Sequence, residues 1–295
     1  MLRSLLPLLT LALTAACNPT QAVPTNGVSA DEGSAAEVES PDPDESPTEE
    51  GLAQADEPEA ADEPAEAPDA AAETPASLWA PIVETYATDD GGFQYAALMA
   101  NEDHMARLQA AVEATATYNP SELERDAQLA FYINAYNLLT VASVIELWPV
   151  ESVLSEDGFF DGREHTVAGA SMTLNGLEND IIRANYGEPR IHFAVNCAST
   201  GCPPLMNRVW TAETLEADLD RQTRAYVNGT TLLDTEANSV QVSQIFEWFA
   251  GDFEASGGVR AFVADHIDPA HADFVRADST TIGFFEYDWT LNGRP

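Results

Sequence analysis

The sequence contains no lysine, and its 12 basic residues, all arginine, are outnumbered by 50 acidic ones. The formal net charge is -38 at pH 7. A protein that binds nucleic acid needs a basic patch that neutralises phosphates. The lack of positive charge therefore excludes a nucleic-acid partner. The acidic surface is interpreted as a source of solubility, with binding of cations or basic partners as the functional alternative.

Cysteine is scarce, and long apolar runs are missing except at the N-terminus. The chain has three cysteines, Cys17, Cys197 and Cys202. A mainly apolar run, residues 5–16, follows Arg3 and ends directly before Cys17. This run is too short to span a bilayer stably and is typical of the hydrophobic region of a secretory signal peptide.

The end of this run resembles the lipobox of bacterial lipoproteins, with Ala15 and Ala16 directly before Cys17. The resemblance implies that residues 1–17 are a lipoprotein-type signal peptide and that Cys17 becomes a lipidated membrane anchor. Asn18 stands where Asp usually signals retention in the inner membrane. We therefore expect the outer membrane, on its periplasmic or surface side. An ordinary signal peptide that leaves Cys17 free is the alternative.

Residues 18–77 differ in composition from the rest of the chain. They hold 17 acidic residues, nine prolines and no basic residue. Such a segment cannot bury enough apolar surface to offset the entropy of ordering it, and its like charges repel one another. The composition predicts a disordered acidic linker, rich in Pro and Ala, that acts as a tether. An acidic binding tail is the alternative.

Residues 78–295 are long enough to form one sizeable core. We expect an α+β (mixed α/β) fold, a single globular domain with a central buried helix and a small sheet. Periodicity and turn residues predict helices near 78–88, 93–116, 121–147, 175–185 and 211–227, and strands beside residue 169, over 190–195, in a hairpin near 230–243 and near 282–287.

The helix predicted at 121–147 has the apolar content of a central buried helix. Ser121 and Glu124 form a capping-box pattern at its start. Asn134 and Asn137 lie three residues apart on one face of this helix. Buried amides need partners, so they either bond to the backbone of a neighbouring segment or contact a substrate or an oxyanion.

Five segments together resemble a known family: AFYINAYNLLTV, TLNGLENDIIR, PRIHFAVNCASTGCPPL, VSQIFEWFAGDF and YDWTLN. In this order and spacing they are similar to domain-of-unknown-function family 547, over roughly Leu123 to Asn292. The resemblance implies no settled activity. Members occur as secreted bacterial proteins and as the C-terminal part of plant proteins that carry a coiled coil. Many members have His after the Glu at 178, where this chain has Asn179, so a role for that His does not carry over.

The third of these segments concentrates reactive side chains. If residues 190–195 form a strand, Ile191, Phe193 and Val195 share its buried face, and His192 and Asn196 share the other at about 13 Å from each other. Cys197 then lies where the strand ends, an arrangement typical of active sites at the end of a sheet.

Cys197 and Cys202 allow three interpretations. The first is a disulfide. With Cys17 lipidated, Cys197 and Cys202 are the two cysteines left, and such a pair is expected to form a disulfide in an oxidising compartment. The four residues between them can form a turn that brings the two side chains to bonding distance. A thiol nucleophile is the second, with His192, Asn137 or Glu178 as partners. A metal site is the third and is not expected, because C-x4-C lacks the usual ligand spacing. No cofactor is expected either.

The sequence thus predicts a lipid-anchored cell-envelope protein of unknown activity. A binding or scaffold module that holds a protein or an envelope glycan is the first functional hypothesis. The alternative is a Cys-dependent hydrolase or acyl transferase that uses Cys197 or Cys202 with His192. The sequence leaves open whether the protein is an enzyme, and it says nothing about the oligomeric state.

Overall fold

The computed structural model describes residues 73–293 of the chain. The predicted signal peptide, the predicted lipidation at Cys17 and nearly all of the predicted linker lie outside the described residues. The first helix begins at Pro75, three residues before the predicted domain start, and Thr74 caps it by accepting a hydrogen bond from the Ser77 backbone.

The described residues form an α+β fold, as predicted. The α-helices are α1 Pro75–Tyr86, α2 Tyr95–Met99, α3 Glu102–Thr117, α4 Arg125–Leu147, α5 Leu174–Gly176, α6 Ala184–Tyr186, α7 Leu215–Thr230, α8 Ile245–Trp248, α9 Gly258–His266 and α10 Pro269–Arg276. Three 3-10 segments, Val153–Ser155, Pro189–Phe193 and Ala250–Ser256, and one π-helical segment, Leu177–Arg183, complete the helical structure of this part of the chain.

Five short strands form two small sheets in the described residues. Strands β1 Glu164–Val167 and β2 Ala170–Thr173 pair as a hairpin, and its two turn residues, Ala168 and Gly169, both have positive φ, as a tight hairpin turn requires. Strands β3 Leu232–Asp234 and β4 Ser239–Ser243 form the second hairpin, and β5 Thr281–Phe285 pairs with β4 in parallel. The predicted strands beside residue 169, the hairpin near 230–243 and the final strand are confirmed.

Helix α4 is the central buried helix that the sequence predicts. Of its 23 residues, 14 are buried, and α1, α2 and α3 pack around it. It is long and apolar enough to span a membrane, but its most apolar window is 78% buried in the domain, as expected of a core helix. The predicted capping box does not form, because Ser121 lies in a turn held by Asn119 and the helix begins only at Arg125.

A second part of the core is aromatic. Phe253 packs on Phe246 and Phe262, with ring centroids 5.1 and 4.7 Å apart, and Phe193 packs on Phe262 at 5.9 Å. These rings join α9 and the segment after α8 to the chain just before Cys197. The core therefore supports the loop that carries the cysteines.

Two predicted helices differ in detail. The one predicted at 93–116 is divided into α2 and α3, because Asn101 leaves the helical conformation and its side chain caps α3 by accepting from the His104 backbone at 3.1 Å. The one predicted at 175–185 begins after Thr173, whose hydroxyl caps it by accepting from the Gly176 backbone N–H. Glu178 lies in the π-helical part, a geometry found frequently at functional sites.

The strand predicted over 190–195 is wrong: residues 189–193 form a 3-10 helix. Pro189 presets a helical φ at the first position, and the Glu188 side chain caps the helix by accepting from the Arg190 backbone at 3.0 Å. The alternation of apolar residues reflects burial on all sides, since Ile191, His192 and Phe193 are all buried. The distance of about 13 Å between His192 and Asn196, which assumed an extended strand, is therefore not valid.

Candidate functional site

Residues 194–202 form a loop that carries both cysteines, and α4 holds it in place. The Asn137 amide donates to the Ala194 carbonyl at 3.0 Å and accepts from the Asn196 backbone N–H at 2.8 Å. Asn196 in turn accepts from the Ala198 N–H at 2.9 Å and donates to the Pro203 carbonyl at 2.8 Å. The structure thus places Asn137 on the loop backbone, the first of the two roles considered for it.

The two sulfur atoms of this loop lie side by side, and no bond joins them in this structure. Cys197 Sγ is 2.8 Å from Cys202 Sγ, 3.0 Å from Ser199 Oγ and 3.1 Å from the Tyr287 hydroxyl. The Cys197 backbone N–H donates to Cys202 Sγ at 2.9 Å. Cys197 is buried, whereas Cys202 is half-buried. The predicted disulfide stays a prediction, with both partners in position for it.

The surroundings make the two thiols unequal acids. Burial opposes ionisation of Cys197, but hydrogen bonds from Cys202, Ser199 and Tyr287 outweigh it, so the pKa of Cys197 is lowered. Burial and the hydrogen bond and charge of Cys197 raise the pKa of Cys202 well above its ordinary value. Of the two thiols, Cys197 is therefore the one that ionises first.

Tyr287 and Ser199 are site residues that sequence reasoning did not identify. Tyr287 follows β5, and its backbone N–H donates to the Gln244 side chain at 2.9 Å. Its ring packs on Trp248 and Trp289, with centroids 4.9 and 4.7 Å away. The family-like segment YDWTLN contains Tyr287, but only the fold shows that its hydroxyl reaches a sulfur 90 residues earlier in the chain.

His192 is directed at carboxylates rather than at the thiols. Its Nε2 lies 2.7 Å from Asp252 Oδ2, and its Nδ1 lies 4.0 Å from Glu178 Oε1. The ring stacks on Phe249 with centroids 3.9 Å apart. Neither ring nitrogen is hydrogen-bonded to a cysteine among residues 73–293. A direct Cys–His pair is therefore not assembled in this structure.

A charged network surrounds His192. Arg183 donates to both oxygens of Asp252, at 2.6 and 2.8 Å. Burial raises the pKa of Asp252, but hydrogen bonds from His192 and Arg183 outweigh it and hold that pKa well below the ordinary value. Burial raises the pKa of Glu178 despite the nearby His192 and Arg183 and a hydrogen bond with Tyr136. Burial thus makes Glu178 a weaker acid than an exposed glutamate.

Four of the predicted site residues, Cys197, Cys202, His192 and Glu178, line one small cavity with Tyr287. The volume open to the centre of a water molecule is about 20 Å³, room for a single water. Cys202 also lines an open groove of about 770 Å³, together with Tyr226 and Pro204 among others. Cys202 is thus the cysteine whose residue borders both the small cavity and the open groove.

The geometry of the cysteine loop coincides with a family match. Residues 120–227 match the family described as protein of unknown function, DUF547. The DUF547 match begins just before α4 and includes the cysteine loop and most of α7, whereas Asp252 and Tyr287 lie beyond it. No curated protein and no solved structure is significantly similar to the chain.

Within the described part of the chain, 73–293, no three His, Cys, Asp or Glu side chains are grouped so that they could hold a metal ion. The chemistry that the DUF547 region offers with its own side chains is that of two adjacent thiols. Asn179 donates to the Asn175 carbonyl and accepts from Arg183, so it supports the π-helical segment.

We expect Asp252→Asn to lower the free energy of unfolding at pH 7 by about 2 kcal/mol, because it removes charge-assisted hydrogen bonds. The folded-state pKa of Asp252 is depressed. Its contribution is therefore present above the unfolded pKa of about 4 and is lost as pH falls through the folded value. The difference between wild type and variant in urea unfolding should thus shrink from pH 5 towards pH 2.

Asp220→Asn is the matched control for this prediction. Asp220 pairs with Arg224 on the exposed face of α7, and both side chains are about half exposed. Such a pair contributes at most about 0.5 kcal/mol. The role of the Asp252 charge would be contradicted if Asp252→Asn lost no more unfolding free energy than Asp220→Asn. It would also be contradicted if the loss in Asp252→Asn were the same at pH 2 as at pH 7.

Proposed function

We propose that this protein performs thiol–disulfide exchange through Cys197 and Cys202, in the cell envelope, anchored through Cys17. The observation that carries the proposal is a pair of adjacent sulfurs. Cys197 is buried and acidified by hydrogen bonds from Cys202, Ser199 and Tyr287, whereas Cys202 is the weaker acid and belongs to a residue that borders an open groove. The lipobox resemblance supports the location, and an envelope compartment supplies the oxidising surroundings that such a pair requires.

The reaction starts from a Cys197–Cys202 disulfide. A thiolate of a dithiol substrate in the groove attacks Cys202 Sγ and forms a mixed disulfide, and the Cys197–Cys202 bond breaks. Cys197 leaves as a thiolate that Ser199 and Tyr287 hydrogen-bond. A thiol with a lowered pKa is the better leaving group, so the direction of attack follows from the unequal acidity of the pair.

The second substrate thiolate then attacks the substrate sulfur of the mixed disulfide. Cys202 leaves, and its raised pKa makes it take up a proton. The substrate loses two electrons and two protons and becomes a disulfide, while the protein pair becomes a dithiol. A small-molecule disulfide such as oxidised glutathione restores the protein disulfide and is itself reduced to two thiols.

This geometry supports exchange better than the hydrolase hypothesis. A Cys hydrolase needs a base positioned to take the thiol proton, and both ring nitrogens of His192 are directed at carboxylates. Thiol exchange needs no base once the thiolate is stabilised. A binding or scaffold role stays a proposal of its own, for which the groove beside Cys202 is the available surface.

The test is a redox titration of the purified full chain with Cys17→Ser, so that only Cys197 and Cys202 are counted. The protein is equilibrated at pH 7 with mixtures of reduced and oxidised glutathione. Free thiols are then trapped with a maleimide and counted by mass spectrometry. We expect both thiols to disappear together in one two-electron transition. Tyr287→Phe removes the hydroxyl that lies 3.1 Å from Cys197 Sγ in the reduced pair. A loss of about 1.5 kcal/mol from the reduced form should make the reduction potential of the pair roughly 30 mV more negative.

Tyr95→Phe is the control for the loss of a buried hydroxyl, because Tyr95 donates to the Asn292 side chain at 2.8 Å instead of to a sulfur. Its potential should equal that of the wild type. A pair that stays oxidised at every glutathione ratio would be a structural disulfide. That result, or two thiols that react independently, would overturn the proposed exchange.

A further inference from the structure

A second cavity lies along α4 and shares no lining residue with the thiol cavity or its groove. It is bounded by the start of α1, the end of α3, α4 and the segment at 210–212. Four aromatic side chains line it, Trp79, Tyr118, Phe131 and Trp210. Tyr118 and Phe131 stack on each other with centroids 5.1 Å apart.

The wall of this cavity carries no charge. None of its 16 lining residues is acidic or basic, although the chain has 50 acidic residues. An ionised ligand would enter without a counter-charge, which is costly in a buried site. The composition of the wall therefore selects for a neutral occupant.

The main polar side chains of the wall already have partners. The Asn134 amide donates to the Trp210 carbonyl at 2.8 Å and accepts from the Trp210 backbone N–H at 3.0 Å. Thr115 donates to the Ala111 carbonyl at 2.9 Å. A ligand therefore needs no hydrogen bond to complete the site, and an apolar ligand leaves these groups satisfied.

Small side chains create the space. Ala127, Ala130 and Ala135 of α4 face the cavity where larger aliphatic residues would fill it, and Ala76 and Ala212 lie at its mouth. The cavity volume is about 240 Å³. A closed apolar cavity of about 150 Å³ holds benzene, so this one has room for more than one ring.

From the shape, the neutral wall and the satisfied polar groups, we infer that this cavity is a binding site for a small uncharged aromatic molecule with two or three rings. Aromatic and aliphatic walls with few polar groups are the usual lining of a small-molecule site. The site is independent of the thiol pair and of the proposed exchange reaction.

The test uses N-phenyl-1-naphthylamine, a neutral dye that fluoresces in apolar surroundings, and its sulfonated analogue 1-anilinonaphthalene-8-sulfonate. We expect the neutral dye to bind the full chain with one-to-one stoichiometry and at least tenfold more tightly than the sulfonate. Ala212→Trp, at the exposed mouth, and Ala130→Leu, inside the cavity, should each weaken binding at least tenfold.

Ala217→Trp places the same bulky ring on the exposed face of α7, away from the cavity, and should bind the dye like the wild type. Because Ala212 is exposed, its variant keeps the test valid even if Ala130→Leu is unstable. Equal affinity for both dyes, or equal weakening by Ala212→Trp and Ala217→Trp, would overturn the proposal. The proposal would also be overturned if neither dye binds, the result expected if another part of the chain already fills the cavity.

Discussion

Asn137→Leu should lower the free energy of unfolding by about 3 kcal/mol and make Cys197 a weaker acid. The Asn137 amide is the partner of two groups on the cysteine loop, the Ala194 carbonyl and the Asn196 N–H, and all three residues are buried. Leucine has a similar volume but leaves both groups unpaired, and each unpaired buried group costs about 1–3 kcal/mol. The loop then loses the contact that holds Cys197 among its donors.

The stability loss is measured by urea unfolding, and the acidity by the pH dependence of alkylation with iodoacetamide in a chain that also carries Cys17→Ser and Cys202→Ala. We expect the midpoint of the alkylation profile to move to higher pH in Asn137→Leu. The reference protein carries Cys17→Ser and Cys202→Ala but keeps Asn137. The loss of the Cys202 hydrogen-bond donor therefore affects the reference and the Asn137→Leu variant alike.

Asn134→Leu separates stability from acidity. Asn134 lies one turn earlier on α4 and makes the same pair of bonds, to the carbonyl and the N–H of Trp210. Its loss should cost a similar amount of free energy and leave the pKa of Cys197 unchanged. If both variants shift the alkylation midpoint equally, Asn137 does not position the loop, and the shift reflects general loosening.

The second large effect is expected from the two cysteines taken singly. Cys197→Ala and Cys202→Ala should each abolish the catalysed oxidation of dithiothreitol by oxidised glutathione, because exchange requires both sulfurs. The variants should nevertheless differ in what accumulates. In Cys197→Ala we expect Cys202, whose residue borders the groove, to form a mixed disulfide with glutathione, because no neighbouring thiol is left to displace it.

In Cys202→Ala the remaining residue, Cys197, is only 6% exposed, so the same adduct should form at least tenfold more slowly. Both variants, in the Cys17→Ser background, are exposed to oxidised glutathione for equal times. Mass spectrometry then gives the rate of glutathione adduct formation for each. Matching thermal unfolding confirms that both are folded. Faster adduct formation at Cys197 than at Cys202 would reverse the order of attack and contradict the mechanism.

Local sequence patterns predicted much of the fold. The apolar content of α4, the hairpin turns and the alternation in β4 and β5 depend on neighbours within a few residues, so they can be read directly. The segment at 190–195 shows where this reading is insufficient. Its alternating apolar residues suit a strand, but Pro189 and the Glu188 cap start a helix, and burial on all sides removes the difference between faces.

The candidate site could be predicted only in part. The sequence pointed to Cys197, Cys202, His192 and Glu178, and the structure brings these four to one cavity. Tyr287 could not be found in this way. Its hydroxyl lies 3.1 Å from Cys197 Sγ across 90 residues of chain, and nothing in the local pattern around it indicates that contact.

By itself, the sequence determined the composition-dependent properties: a strongly acidic chain without lysine, a buried central helix, and two cysteines close enough along the chain to meet in one loop. Only the tertiary structure decided which groups surround those cysteines. Acidity, access and the partners of His192 depend on side chains from segments far apart in sequence, Asp252 and Tyr287 above all. Such contacts are set by packing around α4, and packing cannot be read from local periodicity.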